Sequence, residues 1–375
     1  MRTLVVTWAP GGNLPPLLGA AAALARRGHD VTVLASVATR DAAERRGFPL
    51  AGYRRTPEPD TSVAFEAQAE AMMATAAGMD VALDVSDVLA ELRPDVAVVD
   101  CMLPAAIAAA RAAGTPSASV VHFLYGIART QMLRAGGGFT TDLRSLAATH
   151  AALGLGPIRD GLSAWEAPEL VLVTAPRWLD VDAGAPEHVV HAGPLDVGVR
   201  PALTGERPRV LLTFSTTVME GQTALIERVC DAIATLDLDL TLTLGPAVDT
   251  AAVRVPAGVE LLAVADHDRL MPGCAAVIGH GGLGTVLRAL AHGVPQLLLP
   301  LGRDQAFNAG RVEALGAGIR LPTDAPPEPI REALHALLDD GRFAAAARRA
   351  AERIAADEPD RTAAVALERI APRNA

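Results

Sequence analysis

The chain has 375 residues, of which 50% are hydrophobic, 20% charged and 3% aromatic. This length is typical of two domains, and the apolar fraction is large enough for a substantial core, which excludes disorder as the main state. The 43 acidic residues outnumber the 33 basic ones, for a formal net charge of -10. An acidic chain without a basic segment is not expected to bind nucleic acid or an anionic membrane surface.

The composition also excludes several classes of site. Every basic side chain other than histidine is an arginine, which excludes lysine Schiff bases and Walker-type phosphate loops. The cysteines, Cys101, Cys230 and Cys274, are far apart, so neither a disulfide framework nor a zinc site is expected. The apolar start at Thr3–Trp8 is too short for a signal peptide, and no run reaches the roughly 18 apolar residues of a membrane span. We therefore expect a cytoplasmic protein.

In the N-terminal half, short β-branched runs alternate with alanine-rich stretches, which is the pattern of βα units around a parallel sheet. The predicted strands are Thr3–Trp8, Val31–Leu34, Val96–Val99, Ser117–Val121 and Leu170–Val173. After the first strand, a loop rich in glycine and proline leads into a helix predicted from about Leu17 to Arg27, which ends at Gly28.

A stretch rich in proline, glycine and arginine separates the halves, and the same pattern then begins again. The predicted strands of the second half are Arg209–Phe214, Leu238–Leu244, Gly258–Val264, Ala275–Ile278 and Gln296–Leu299. A helix is predicted near Met219–Leu236, and the tail from Pro326 to Ile370 has helical composition throughout. The sequence thus predicts two α/β halves of similar size joined by a linker.

The most informative segment is Cys274–Thr285, with the sequence CAAVIGHGGLGT. A buried strand is predicted to end at His280, and the glycines after it lead into a helix. Backbone N–H groups at a helix N-terminus, placed at the carboxyl edge of a parallel sheet, suit an anion such as phosphate. Gly282 and Gly284 would let the backbone approach that anion, and Thr285 could donate a hydroxyl. The alternative is a tight strand-to-helix turn; the preceding histidine favours phosphate binding.

The next predicted strand is followed by Asp304 and Gln305. A carboxylate next to an amide at this edge could bind the hydroxyl groups of a polyol. The alternative is that Asp304 caps the helix that begins here, since aspartate is among the best N-cap residues. The two roles are compatible.

At these motifs the sequence resembles the nucleotide-sugar-dependent glycosyltransferases of the GT-B fold, and among them the inverting bacterial enzymes that glycosylate antibiotics and other polyketide natural products. The C-terminal signature of that family, HHGGxGT followed by DQ, corresponds to GHGGLGT and RDQAFNAGR here. Matching phrases run along most of the chain: GNLPPLL, ARRGHDVTVLAS, PDVAVVD and AGPL. The ordered set is specific for the fold and class but not for the acceptor.

The resemblance implies two Rossmann-like α/β domains that face each other across a cleft. Residues 1–195 would bind the acceptor, and residues 196–208 would be the linker. Residues 209–356 would bind the nucleotide sugar, and the C-terminal helix of residues 357–375 would pack back on the first domain. An apolar acceptor pocket is expected from Pro57–Met79 and Tyr125–Phe139, although the methionines in the first of these stretches fit an ordinary core equally well.

The resemblance also implies a donor site. His280 would contact the donor diphosphate, the residues after it would form a cradle at the helix N-terminus, and the aspartate–glutamine pair would bind sugar hydroxyls. The loop at Val264 lacks the usual aromatic or proline residue, so it is expected to contact the nucleobase through its backbone. The implied donor-site residues are Ser215, Thr216, Thr217, Val264, His280, Gly282, Gly284, Thr285, Asp304 and Gln305.

The expected partners are a TDP- or UDP-sugar and a small-molecule acceptor. Because no acidic pair in metal-ligand context accompanies the glycine-rich motif, no obligatory metal or other cofactor is expected. The oligomeric state stays open, with a homodimer as one alternative.

The sequence departs from the family in its first loop. Relatives carry there a histidine that takes the proton of the acceptor hydroxyl, whereas this chain has Asn13, and a neutral amide cannot accept that proton. Asp100 matches the carboxylate that partners the missing histidine. It is a candidate base, or alternatively the N-cap of a helix beginning near Pro104. His122, after another predicted strand, is the other candidate base, or alternatively a structural histidine.

The predicted function is inverting transfer of a sugar or deoxysugar from a TDP- or UDP-sugar to an apolar, aromatic polyketide-type acceptor. The missing histidine leaves three alternatives: another residue acts as base, the acceptor is an acidic phenol whose ortho carbon attacks to give a C-glycoside, or the chain only binds. Transfer to oxygen or nitrogen of another natural product, and a GT-B epimerase or hydrolase, also stay open. A dehydrogenase is set aside because the first loop lacks GxGxxG spacing.

Overall fold

The computed structural model describes residues 1–60, 65–134, 142–198, 205–215, 219–245, 253–263 and 265–372. Contacts divide the chain into two compact units. The first is built from Met1–Asp60, Glu66–Asp196 and Asp357–Ala375, and the second from Val197–Ala356. Each unit has its own parallel sheet and its own apolar cores.

The sheet of the first unit contains, among the described residues, seven parallel strands. They are β1 (Arg2–Val6), β2 (Asp30–Ala35), β3 (Leu50–Gly52), β4 (Val96–Asp100), β5 (Ser117–Val121), β6 (Leu170–Val173) and β7 (Val189–His191). Their order across the sheet is β3-β2-β1-β4-β5-β6-β7. The central strands are almost entirely buried and consist mainly of valine, leucine, alanine and small polar residues, because helices cover both faces of a parallel sheet.

The helices of the first unit include the last helix of the chain. They are α1 (Leu14–Ala25), α2 (Val37–Glu44), α3 (Phe65–Ala77), α4 (Met79–Leu92), α5 (Pro104–Ala112), α6 (Tyr125–Arg134), α7 (Leu143–Ala152), α8 (Gly161–Trp165) and α15 (Pro359–Ile370). Helix α1 starts at Leu14, before the predicted Leu17, and has prolines in its first turn. Proline is accepted there because the first N–H groups of a helix have no intrahelical partner.

Helix α15 belongs to the first unit although it ends the chain. Ala363, Ala364 and Leu367 are buried in the same apolar cluster as residues of α1 and β1. At the rim, Glu368 pairs with Arg27 at 2.7 Å and with His29 at 2.8 Å. The helix is thus held by apolar burial, with ion pairs at its exposed edge.

The sheet of the second unit contains six parallel strands among the described residues, in the order β10-β9-β8-β11-β12-β13. They are β8 (Arg209–Thr213), β9 (Asp239–Thr243), β10 (Glu260–Leu262), β11 (Ala276–Gly279), β12 (Gln296–Leu298) and β13 (Gly318–Arg320). The helices are α9 (Gln222–Ile233), α10 (His267–Leu270), α11 (Leu283–Ala291), α12 (Gln305–Ala314), α13 (Pro327–Asp339) and α14 (Gly341–Ala356).

The tail predicted as helical from Pro326 to Ile370 is three helices, α13, α14 and α15. The first break is at Asp340, whose backbone is extended, and the second is at Glu358, which has a positive φ of 44°. Within the described ranges, no helix combines the length and the apolar character that a membrane span requires.

Both sheets reverse their strand order once. In the first unit the reversal lies between β1 and β4, and in the second between β8 and β11. Open parallel sheets bind ligands at such a point, outside the carboxyl ends of the strands. The loops after these four strands are therefore where a site is expected in each unit.

Gly19 offers a test of how α1 packs on the end of the first unit. A Cβ at this position would lie 2.7 Å from Cβ of Leu195, a contact that only a backbone shift can relieve. We expect Gly19→Ala to destabilise the first unit by about 1–3 kcal/mol. All three tryptophans, Trp8, Trp165 and Trp178, lie in this unit, so urea unfolding followed by their fluorescence measures it.

The matched control for that variant is Gly341→Ala. Gly341 begins α14 in the second unit, and nothing lies within 4 Å of a Cβ placed there. This variant should leave the tryptophan-detected midpoint unchanged. A higher midpoint for Gly19→Ala, as expected for an unhindered helical glycine, would contradict the packing constraint.

Candidate functional site

The loop between β11 and α11 in the second unit is held tight by glycines. A Cβ at Gly279 would lie 2.5 Å from the carbonyl oxygen of Thr213 on the neighbouring strand. Gly281 has φ of +86°, and a Cβ there would lie 3.0 Å from the carbonyl oxygen of Gln305. Neither position has room for a larger residue, so the GHGG segment is fixed by backbone packing.

Gly282 is the N-cap residue of α11 and has no side chain that could cap the helix. The N–H of Val286 bonds to the carbonyl oxygen of Gly282, and the amides before it belong to the first turn, where no intrahelical acceptor exists. Gly284 is exposed and Thr285 half-buried in that turn. An uncapped helix N-terminus carries partial positive charge and suits an anion.

His280 stands directly before this turn and is only 7% exposed. Its Nδ1 atom is buried and has no hydrogen-bond partner among the described residues. Burial lowers the pKa of His280 to about 4, an effect that the backbone of Thr213 opposes and that the positive charge of Arg303 reinforces. The imidazole is therefore neutral at pH 7 and has one N–H and one lone pair, so its Nδ1 donates to a ligand in one tautomer and accepts from it in the other. A buried, unpaired ring nitrogen is costly, which points to a ligand as its partner.

Gln305 is committed to its own loop. Its Oε1 accepts hydrogen bonds from the backbone N–H of Leu301 at 2.7 Å and of Gly302 at 3.1 Å, and its Nε2 lies 3.2 Å from the sulfur of Met219. The side chain is 3% exposed. In this structure Gln305 shapes the loop before α12, rather than presenting its amide oxygen to a sugar.

Asp304 occupies the N-cap position of α12, but its side chain makes no capping hydrogen bond. Instead its Oδ2 accepts from Nδ2 of Asn308 at 2.9 Å, and the same Nδ2 donates to the carbonyl oxygen of Gly281 at 3.0 Å. Asn308 is 1% exposed, and its Oδ1 has no partner among the described residues. Asn308 thus joins the glycine loop to Asp304.

Asn308 is a site residue to which no sequence motif pointed. The signal was its spacing, since residues four apart on a helix share a face and Asp304 is four residues earlier. That spacing is common, however, and only the hydrogen bond from Asn308 to the carbonyl oxygen of Gly281 links it to the glycine loop.

The remaining predicted donor-site residues lie after β8 and before α10. Ser215 follows β8, and its backbone N–H and carbonyl oxygen both bond to the side chain of Gln222, at 3.1 and 3.4 Å. At the start of α10, Nε2 of His267 lies 3.2 Å from Oγ1 of Thr213. Burial lowers the pKa of His267. Thr216, Thr217 and Val264 lie outside the described residues.

The first unit gathers its three candidate catalytic residues at the carboxyl ends of the adjacent strands β1, β4 and β5. Nδ2 of Asn13 donates to Oδ2 of Asp100 at 2.7 Å and to the carbonyl oxygen of Ala9 at 3.0 Å. Nε2 of His122 lies 3.1 Å from Oδ1 of the same carboxylate. The backbone N–H of Met102 also donates to Oδ1, at 3.0 Å.

Asp100 is a buried carboxylate, 2% exposed, that its neighbours keep charged. Burial alone would raise its pKa, but His122, the backbone N–H of Met102 and the amide of Asn13 outweigh burial, so the pKa of Asp100 is lowered. The N-cap alternative for Asp100 is wrong, because Leu103 is the N-cap of α5 and the Asp100 carboxylate accepts from Asn13 and from the N–H of Met102, which precedes the helix.

The potential ligand atoms of Asp100, Cys101 and His122 lie within 4.8 Å of one another, the spacing of a metal site. The donor set fits a metal poorly. Both oxygens of the carboxylate already accept hydrogen bonds, and burial raises the pKa of the Cys101 thiol well above its ordinary value, with the charge of Asp100 adding to the effect. A protonated thiol is a weak metal ligand, so the trio is better explained by its hydrogen bonds.

With these two sites defined, comparison with known proteins identifies similar chains. Residues 227–369 match the model of the "Erythromycin biosynthesis protein CIII-like, C-terminal domain" family. Over 148 residues, 38% of this chain and 35% of the relative, the sequence is 35% identical to 3-alpha-mycarosylerythronolide B desosaminyl transferase of Saccharopolyspora erythraea. Over 177 residues, 45% of this chain and 40% of the relative, it is 36% identical to TDP-daunosamine transferase DnrS of Streptomyces peucetius.

The structure is similar over its whole length to the crystal structure of the glycotransferase of kitacinnamycin. The TM-score is 0.83 at 24% identity, with 99% of both chains covered. The fold is GT-B. The resemblance to antibiotic glycosyltransferases that the motifs predicted is therefore confirmed, while the matched stretches span two fifths or less of the two curated relatives.

The protonation state of His280 can be tested directly. We expect its imidazole to stay neutral down to about pH 5 and to titrate near a pKa of about 4, because burial disfavours the charged form. Histidine Cε1–H resonances followed by NMR against pH, assigned with a His280→Gln variant, measure this. Inorganic pyrophosphate should raise the value by placing negative charge beside the ring. Titration above pH 6 without ligand would contradict the assignment.

Proposed function

We propose that this GT-B chain transfers a sugar from a TDP- or UDP-sugar to a small natural-product acceptor. The observation that carries the proposal is the loop before α11, where the uncapped helix N-terminus adjoins two buried polar atoms without partners, Nδ1 of His280 and Oδ1 of Asn308. Together they offer donors and an acceptor to one ligand that has both phosphate and hydroxyl groups. A nucleotide sugar has both.

The chemistry of the loop fits the departure of a nucleoside diphosphate. When the bond between the anomeric carbon and the phosphate oxygen breaks, negative charge grows on the diphosphate, and fixed N–H donors stabilise it more in the transition state than in the ground state. The helix N-terminus contributes about 0.3–1 kcal/mol, and up to roughly 2 when partly buried. Several donors must therefore act together, which is why His280 and the first-turn amides are needed jointly.

Arg303 supplies a positive charge next to the same loop. It has a positive φ of 55° and is close enough to lower the pKa of His280. A guanidinium, an imidazole N–H and backbone amides together can stabilise the negative charge of a diphosphate, so we infer that transfer needs no metal ion. Activity that persists in excess EDTA would support this inference, and loss restored by Mg²⁺ would overturn it.

The names of the relatives support a finer assignment. The name of one matched relative specifies TDP-daunosamine and that of the other specifies 3-alpha-mycarosylerythronolide B, and we infer that this chain takes a TDP- or UDP-linked sugar or deoxysugar and an apolar, polyketide-type acceptor. A single displacement with inversion at the anomeric carbon needs a leaving-group site and a base, and the described residues supply candidates for both. The missing histidine of the first loop favours a C-glycosidic bond. His122 beside Asp100 weakens that argument, and we infer an O-glycosidic bond.

Removing the imidazole of His280 tests the donor site. We expect His280→Ala to lower kcat by about 10²–10³, the cost of losing one preorganised donor to a developing anion, and to weaken TDP binding measured by calorimetry. His335→Ala is the matched control, because His335 is an exposed histidine on α13 of the same unit. Unchanged kcat and TDP affinity in a folded His280→Ala protein would overturn the diphosphate assignment.

The reaction itself is tested by product analysis. The chain is incubated with TDP- and UDP-sugars and a panel of macrolactone and phenolic polyketide acceptors, and the products are examined by mass spectrometry. We expect an acceptor-plus-sugar product with inverted anomeric configuration by NMR that acid hydrolyses. An acid-stable adduct would indicate a carbon–carbon bond, and release of nucleoside diphosphate that needs no acceptor would indicate a hydrolase.

A further inference from the structure

We propose that His122 is the general base that takes the proton of the acceptor, that Asp100 holds and charge-balances it, and that Asn13 is a positioning residue for Asp100. The proposal rests on the proposed function, since it concerns the acceptor half of the same reaction. It is argued from the arrangement of the three side chains at the ends of β1, β4 and β5.

The orientation of the Asn13 side chain is fixed by its partners. Its side-chain nitrogen lies between two oxygens, Oδ2 of Asp100 and the carbonyl oxygen of Ala9. Both are acceptors, so the NH₂ group must face them and both of its protons are used. Asn13 therefore has no basic atom to offer, and what it does is fix one oxygen of Asp100.

Asp100 is poorly suited to take a proton. Each of its oxygens already accepts at least one hydrogen bond, and its lowered pKa makes the carboxylate a weak base. The carboxylate is also 2% exposed, which leaves little room for an acceptor hydroxyl. Its remaining role is to act on the side chains that touch it.

Nε2 of His122 lies 3.1 Å from Oδ1 of Asp100. A carboxylate cannot donate, so Nε2 carries the proton and the neutral ring has its lone pair on Nδ1. This is the general arrangement in which a carboxylate sets the tautomer of a histidine and stabilises the imidazolium once it forms. Among the candidate bases in this cluster, only His122 combines a free lone pair with a charge-balancing partner.

The proton and electron balance is complete with these groups. The acceptor O–H proton moves to Nδ1 of His122 while the oxygen forms a bond to the anomeric carbon. The bond between that carbon and the diphosphate oxygen breaks, and its electron pair leaves with the diphosphate. The imidazolium is balanced by Asp100 and later returns its proton to water.

The decisive experiment exploits the two oxygens of one carboxylate. Asn13 occupies Oδ2 and His122 occupies Oδ1, so an imidazole at position 13 can use the same carboxylate from the other side. We expect His122→Asn to lower kcat for transfer by about 10²–10⁴, the usual contribution of a general base. We expect the double variant Asn13→His/His122→Asn to regain at least about tenfold of that loss, since the base is then supplied from the other oxygen.

A second readout separates base catalysis from a structural role. If His122 removes a proton, its loss matters less for an acceptor that ionises easily, so the fall in kcat for His122→Asn should be smaller for acidic phenols than for alcohols. A merely structural histidine would give the same fall for both. His188→Asn, at a histidine of the same unit whose Nε2 contacts the carbonyl oxygen of Glu166, is the control and should leave kcat unchanged.

Folding and donor binding are measured on every variant. Tryptophan fluorescence reports the first unit, and TDP calorimetry reports the donor site in the second unit; both should match the wild type. If His122→Asn does not fold, His122→Gln takes its place. Full kcat in a folded His122 variant, or no recovery in a folded, TDP-binding double variant, overturns the proposal. A wild-type chain that binds TDP but glycosylates no acceptor overturns the proposed function instead.

Discussion

The reversal of strand order in each sheet is the constraint on which the rest of the structure depends. At the reversal, the connections after two neighbouring strands run to opposite faces of the sheet, and their loops leave the carboxyl ends of those strands uncovered. Asn13 and Asp100 follow the two strands at the reversal of the first sheet, and Ser215 and His280 follow the corresponding pair in the second. Each unit therefore places its polar side chains where a ligand has access.

Burial gives the two sites opposite electrostatic properties. His280 is buried beside a cation and stays neutral, so it can donate a hydrogen bond without adding charge. Asp100 is also buried, but the side chains of Asn13 and His122 and the backbone N–H of Met102 face its carboxylate, and it stays charged. The difference follows from the partners, because the desolvation cost of a charged group is offset only when hydrogen bonds or opposite charges face it. The same degree of burial thus yields a neutral donor in one unit and a fixed anion in the other.

The structure could be predicted from the sequence wherever a local sequence pattern determines it. The central strands, the glycine-rich turn and the resemblance to antibiotic glycosyltransferases were predicted correctly, because long apolar runs and positions that only glycine fits leave a strong signal. The strands β3, β7 and β13 were missed because each has three residues and no run of more than two apolar side chains, whereas the equally short β10 and β12 lie in longer apolar runs. The different roles of Gln305 and Asn308 could not be predicted either, because both are polar residues on α12. Only the structure shows that Asn308 bonds to Gly281 in the loop before α11 and that Gln305 bonds to Leu301 in the loop before α12.

The two sites differ in how strongly they constrain sequence. The glycine loop of residues 279–282 is made of backbone, so contacts such as the one between Gly279 and Thr213 oblige particular positions to be glycine. This loop lies within residues 227–369, the stretch that the family model matches. Asn13, Asp100 and His122 lie outside that stretch, and their arrangement asks only for one buried carboxylate with a side chain on each oxygen. Either oxygen offers a hydrogen-bond acceptor to such a side chain, so the position of a histidine in this cluster is freer to change than the position of any glycine in the loop.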